Sequence, residues 1–355
     1  GYLQSLRWLH QQLAPADGWD NCGLIQLASS EKEAKRQQKF IANTDYPEQL
    51  LHPITQQQAC DISGVTLSCG GLFFPHAGWV SPQRLCQELL KHPLISFEQT
   101  HVEKLTRVEN LNSRLSPQED SWKLQFEPEP SLKTLTQEFS HVIIACANKS
   151  KHLLPNSYLP TKSIRGQLTY LPSDASSATQ KLKTVLCGKG YIAPENNGSL
   201  CLGASYNIKD NEPNMRLSDH QKNFDYLDDF GEEFKALHQL LNQQEADQYP
   251  GRTGFRCTTP DYLPMAGPLL DETKFDVQFT AIRKNLARYP RQAADFLPGL
   301  YLNIGHGSRG LTSAPLCAEL VASYICGENF PMAKDHAEAL LPGRFYIREM
   351  VRNKR

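Results

Sequence analysis

Leu3, Leu6, Leu9 and Leu13 stand at helical spacing, so the chain opens as an amphipathic helix. WDNCGLIQLA then reads as a turn leading into a strand. EKEAKRQQKFIA, from Glu31, reads as a charged helix with a solvated face. Gly70 and Gly71 lead into an apolar strand. Ser81 followed by Pro82 marks a helix start, with a side-chain acceptor at the cap and then a residue that needs no donor.

ISFEQTHVEKLTRVEN alternates loosely and predicts strands, with SWKLQFE pairing after the turn-rich SPQED. FSHVIIACANKS is a continuous apolar run ending in small residues, which predicts a central parallel strand buried on both faces. IRGQLTYLP, TVLCGKGYIAPE and SLCLGASY form a series of hairpin-like strands. Ser218 to Gln244 is polar and helical, interrupted near Gly231. GFRCTTPDYLPMAGPLL is turn-rich, with Pro260, Pro264 and Pro268. A helix over FTAIRKNLARY and a strand over LYLNI follow. Parallel-type strands and helices towards both ends, around an antiparallel-looking middle, predict an interleaved two-domain fold of mixed α/β (α+β) class.

Composition narrows the class. The chain has 355 residues, 40% hydrophobic, which suits a globular fold with a sizeable core. Lys plus Arg (37) nearly balances Asp plus Glu (38), so overall charge does not mark a protein that coats nucleic acid. No apolar run reaches the length of a bilayer span. None of the ten cysteines forms C-x-x-C, and no His/Cys group has metal-ligand spacing. A reduced, cytoplasmic, metal-free protein is expected, with most thiols buried in apolar stretches.

The strongest chemical signal comes late. NIGHGSRGLTSAPLCAELVAS, from Asn303, holds Gly305, Gly307 and Gly310 between a strand and a helix. A dinucleotide fingerprint has this spelling, but Pro315 is expected to delay the helix to about Ser313, and no second strand ending in an acid follows. A nucleophile turn at Ser308 fails because His306 stands where that motif has glycine. Two readings remain open from the residues alone: a loop that brings backbone amides to a flat ligand, or a tight turn using glycine for its positive φ.

Gly305-His306-Gly307-Ser308-Arg309-Gly310-Leu311 with Ala314-Pro315 resembles the C-terminal flavin-contacting segment of the D-amino-acid oxidase/glycine oxidase superfamily. GGLFFPHAGWVSPQRLC, HVIIACAN, SIRGQL and TGFRCTTPDYLPMAG resemble further segments of that superfamily in the same order, with Ala77 where the family usually has Gly. Within it, GLIQLA, VLCGKGYIAPE and LGASY resemble the FAD-dependent oxidoreductase module of bacterial enzymes that finish 5-methylaminomethyl-2-thiouridine in tRNA.

The resemblance implies FAD as cofactor and tRNA, at the wobble uridine, as partner. The implied reaction removes the carboxymethyl group of 5-carboxymethylaminomethyl-(2-thio)uridine. It implies an FAD-binding domain over 82–150 and 296–355 and a substrate domain over 1–81 and 151–295. It also implies an incomplete cofactor domain: the superfamily's opening strand–glycine–helix, and the SAM-dependent methyltransferase domain that normally precedes it, would both lie before residue 1. The implied flavin contacts are Gly305, His306, Gly307, Ser308, Arg309, Gly310 and Leu311, with Val102, Ala145 and Ala147. Arg256 is the implied carboxylate clamp, Arg309 a second cation and Tyr191 a pocket wall. A structural ion pair of Arg256 with Asp261 is the competing reading. Arg344, Arg348 and Arg352 share a helix face that suits either tRNA phosphates or a solvated helix end. An oxidase of glycine or sarcosine, and a flavin-free binding remnant, are the alternatives.

Overall fold

The computed structural model describes residues 2–12, 18–109, 120–127, 135–154, 157–243, 248–279 and 294–352. The helix expected over FTAIRKNLARY, apart from Phe279, and the last residues of the basic tail, 353–355, lie outside them. The chain forms two compact units, each assembled from separated segments. One comprises Gly1–Ser5, Phe97–Ser163 and Arg256–Arg355; the other comprises Leu6–Ser96 and Ile164–Phe255. Residues 1–5, 82–96, 151–163 and 256–295 thus fall across the division expected from the sequence.

The second unit is built on a nine-stranded sheet. Its path runs Asn207–Ile208, Lys162–Pro172, Ser199–Gly203, Tyr191–Asn196, Val185–Cys187, Leu24–Leu27, Gly71–Phe74 and His52–Ile54, and Gly251–Thr258 also pairs with Lys162–Pro172. The hairpin pattern of the sequence is realised here. Alternation puts Ile25, Leu27, Leu171, Leu186, Ile192, Leu200 and Leu202 on one face. That face packs against Phe224, Leu227, Phe230, Phe234 and Leu237 from helices Leu217–Asp225 and Glu232–Leu241 and the 3₁₀ turn between them. Each fully buried phenylalanine or leucine contributes about 1.5–3 kcal/mol.

A clamp closes one edge of this unit. Arg165, fully buried, donates through Nε to Glu212 O (2.6 Å) and through Nη2 to Asn214 O (2.6 Å), Gln167 Oε1 (3.1 Å) and Thr253 Oγ1 (3.3 Å). Its Nη1 is paired with Asp219. The R-G-Q hairpin therefore anchors the exposed 206–217 segment.

The first unit holds two three-stranded sheets. One is antiparallel: Val102–Val108, Ser121–Phe126 and Thr136–Phe139. ISFEQT stays outside it, and its first strand begins at Val102. In the other, Phe296–Ile304 runs antiparallel to Met265–Leu270 and parallel to Val142–Ile144. Trp122 Nε1 donates to Pro298 O at 2.8 Å and ties the two sheets together. Ile144, Met265, Leu269, Leu300, Leu302, Ile304 and Phe345 fill the core beside it.

Two expectations need correction here. Val142–Ile144 is parallel as predicted, but among the described residues it is an edge strand, not a central one, and Ile143 is half exposed. An apolar run reports that a strand can be buried; it carries no information on how many neighbours it pairs with. The thiols also differ: only Cys257 and Cys317 are buried, and Cys86, Cys146 and Cys326 are exposed. Among the described residues no helix is long and apolar enough to cross a membrane.

Candidate functional site at the glycine loop

The parallel strands Val142–Ile144 and Phe296–Ile304 end side by side, with Leu302 opposite Ile144. Ala145 and Ala147 follow the first and Gly305 follows the second. Both segments therefore leave the carboxyl ends of adjacent parallel strands, the place where open α/β sheets receive ligands. Ala145 is exposed, and Ala147 adopts φ 50°, an uncommon conformation for a side-chain-bearing residue. The short helix Ser150–Leu153 that follows packs on the strand Val102–Val108, at whose first position Val102 is half-buried.

Glycine is required at the start of the loop. Gly305 has φ 83°, and a Cβ there would meet Thr259 Cγ2 at 2.7 Å; Gly307 has φ 58° and lies against Thr258 Cγ2. His306 bridges Thr258, and Gly307 N donates to Cys257 O at 2.7 Å. The loop is thus strapped to the end of the strand Gly251–Thr258. Arg256 is two residues before Thr258 on that strand, so it shares a face with the threonine that touches Gly307, roughly 7 Å along the backbone. Cys257 between them is buried, and burial pushes its thiol up.

The helix begins at Gly310 and runs to Cys326, so it starts within the glycines and not at Ser313. The first turn closes tightly, with Thr312 N and Ser313 N both donating to Arg309 O, before Pro315 is reached. The proline then removes one bond from an already nucleated helix instead of setting its start. Arg309 is the N-cap and supplies no side-chain cap. Gly307 N and Arg309 N are bonded within the fold. Ser308, Gly310 and Leu311 stand at the helix's positive end. Ser308 and Arg309 are exposed.

His306 holds this geometry. Its Nδ1 lies 2.8 Å from Ser313 Oγ and its Nε2 2.9 Å from the Asn303 side-chain amide. Ser313 Oγ also lies 3.0 Å from Arg309 O. Burial lowers the imidazole pKa and keeps the ring neutral. Nε2 therefore donates to Asn303 Oδ1, and the neutral ring accepts at Nδ1 from the Ser313 hydroxyl. His306, expected as a backbone flavin contact, thus also ties strand, loop and helix together through a side chain for which the sequence carried no signal. Neither Asn303 nor Ser313 was expected to take part.

The turn after Arg256 is fixed from the far end of the chain. Asp261 receives Arg344 through Nε (3.0 Å) and Nη2 (3.1 Å), and Arg348 through Nη1 (2.7 Å). Arg344 also donates to Leu263, Leu340 and Leu341 carbonyls. Burial pushes the Asp261 carboxyl up, but Arg344 and then Arg348 more than reverse this and hold it well below the usual carboxylate range. Arg344 and Arg348 are therefore not a free basic face, which corrects that reading of the tail. Arg352 is paired with Glu349.

Tyr191 lies in the other unit. It points away from the face carrying Ile192 and hydrogen-bonds Cys201, whose thiol burial raises to about 11. Among the described residues no three His, Cys, Asp or Glu side chains gather as metal ligands would.

Adjacent parallel strand ends, a glycine loop at positive φ and a helix without a side-chain cap are the backbone features of a nucleotide-cofactor site. The chain belongs to the FAD dependent oxidoreductase (DAO) family, whose model matches residues 2–324. It is 39% identical over 354 residues to the tRNA 5-methylaminomethyl-2-thiouridine biosynthesis bifunctional protein MnmC of Pseudomonas paraeruginosa, an alignment covering 98% of this chain and 50% of the relative. The chain spans about half the length of the curated relatives it matches. Its fold is similar to glycine oxidase from Geobacillus kaustophilus (TM-score 0.66, 18% identity, 96% of this chain and 82% of that one). It is also similar to L-proline dehydrogenase from P. horikoshii (TM-score 0.63, 15% identity, 97% and 82%). The protein is an FAD-dependent oxidoreductase. The loop suits that cofactor: the positions where a Cβ would intrude are glycines, and a helix without a side-chain cap begins there.

Proposed function

We propose that the chain oxidises the CH–NH bond of 5-carboxymethylaminomethyl-(2-thio)uridine at the tRNA wobble position. The products are 5-aminomethyl-(2-thio)uridine and, after hydrolysis of the imine, glyoxylate. The observation that carries this reading is the likeness to the tRNA enzymes, which runs through both units. FAD, when bound, supplies the two-electron acceptor.

The residues of the chain then bind and orient. Ser308, Gly310 and Leu311 would hold FAD through their main chain, and Gly305 and Gly307 would let the backbone approach it. Ala145 and Ala147 would keep the neighbouring strand end small enough for the cofactor to approach, and the main chain at Val102 would help to hold it. Arg256 grips the substrate carboxylate, because a planar guanidinium makes two parallel charge-assisted hydrogen bonds. Arg309 adds positive potential at the loop. No protein nucleophile is needed.

The test is incubation of the FAD-loaded chain with tRNA carrying the carboxymethylaminomethyl group, then nucleoside digestion and mass spectrometry. Loss of the carboxymethyl group supports the proposal. Unchanged tRNA together with flavin bleaching by glycine or sarcosine would replace it with the amino-acid oxidase reading.

A further inference from the structure

Tyr262 is 76% exposed and holds φ 61°. A side-chain-bearing residue in the left-handed region is uncommon, and an aromatic one there is retained against a conformational cost. Nothing about its own burial explains it, yet its turn is wired on every side. Tyr262 N donates to Thr259 O at 3.2 Å, Leu263 N to Asp261 Oδ1 at 3.2 Å, and Thr259 Oγ1 to Leu263 O at 2.7 Å. Asp261 is in turn clamped by Arg344 and Arg348. Two guanidinium groups meet one carboxylate, and Arg348 remains 47% exposed. Its inner residue, Thr259, packs on Gly305 of the glycine loop.

We propose that Tyr262 is a stacking platform for an unstacked base of single-stranded RNA, the wobble uridine of the substrate. This deepens, and rests on, the tRNA reading above. A rigid exposed aromatic loses little entropy on contact, any base offers it a π-face, and the half-exposed guanidinium of Arg348 paired to the same turn suits an adjoining phosphate. A residue kept for packing would not be presented this way.

The experiment compares the unaltered chain, Tyr262→Phe and Tyr262→Gly for binding to an anticodon stem-loop RNA with uridine at the wobble position. A second RNA, abasic at that position, is measured alongside. Glycine relieves the left-handed strain, so Tyr262→Gly should unfold no earlier than the unaltered chain and retain the same flavin absorbance. Its affinity for the stem-loop should fall about 10-fold, while Tyr262→Phe binds as the unaltered chain does. The abasic RNA should bind the unaltered chain about 10-fold more weakly and show no further loss with Tyr262→Gly. Equal binding of the stem-loop by Tyr262→Gly overturns the proposal, as does an equally large additional loss on the abasic RNA. If the unaltered chain ignores the stem-loop but is reduced by glycine, the tRNA reading itself fails.

Discussion

Replacing Arg344 by alanine separates two roles for the C-terminal helix. As part of a phosphate-binding face, Arg344 would matter little to the fold. In the structure its side chain is 9% exposed, gives two hydrogen bonds to Asp261 and three more to main-chain carbonyls. Removing one partner of a buried pair costs about 3–5 kcal/mol because the other charge is left uncompensated. Arg348 still reaches Asp261, which is 19% exposed, so the lower end, about 3 kcal/mol, is expected. For a unit of this size that is a fall in Tm of roughly 6–12 °C. Lysine should recover only part of it, since an ammonium cannot reproduce the fork. The pH dependence identifies the cause. Asp261 has a folded pKa below its ordinary 3.8, so its contribution is complete above that value and is lost as pH falls through the folded value. The gap between variant and parent in urea unfolding should therefore be widest above pH 4 and narrow in acid. A variant within about 0.5 kcal/mol of the parent at pH 7, which is the scatter of ordinary surface substitutions, would refute the clamp.

Gly305→Ala places a methyl 2.7 Å from Thr259 Cγ2 at φ 83° and should cost about 2 kcal/mol in urea unfolding and release FAD on gel filtration; retained flavin with parental stability would exclude the close approach. His306 has a pKa lowered by burial from 6.5, so the unfolded chain takes up its proton first and stability should decline as pH drops below about 6.5; His306→Gln should flatten that limb, and an unchanged limb would assign it to other groups. Arg165→Met leaves Asp219 buried without its guanidinium and should lose about 3–5 kcal/mol, with part recovered in Arg165→Met/Asp219→Asn; purely additive losses in that double-mutant cycle would deny the coupling.

Signals confined to one turn of chain were legible without coordinates. Ser81 caps the helix Pro82–Leu89 as Ser-Pro implied, Gly231 separates two helices, and the hairpin run became neighbouring strands. Gly305 and Gly307 stood out because only a backbone constraint accounts for glycine at such spacing, and both carry positive φ. Pro315 misled on the start of the helix, because its lost hydrogen bond is one among many and the first turn closes ahead of it.

Pairings across long stretches of chain were decided by the fold alone. Asp261 meets Arg344 and Arg348 from 83 and 87 positions away, and Arg165 meets Asp219 from 54. Periodicity and capping describe forces that die out within a turn, whereas the partner of a buried charge is chosen by whichever surfaces the core brings together. The same holds for Tyr262: its letter is an ordinary tyrosine, and only the wired turn beneath it makes it an exposed, strained and therefore informative one.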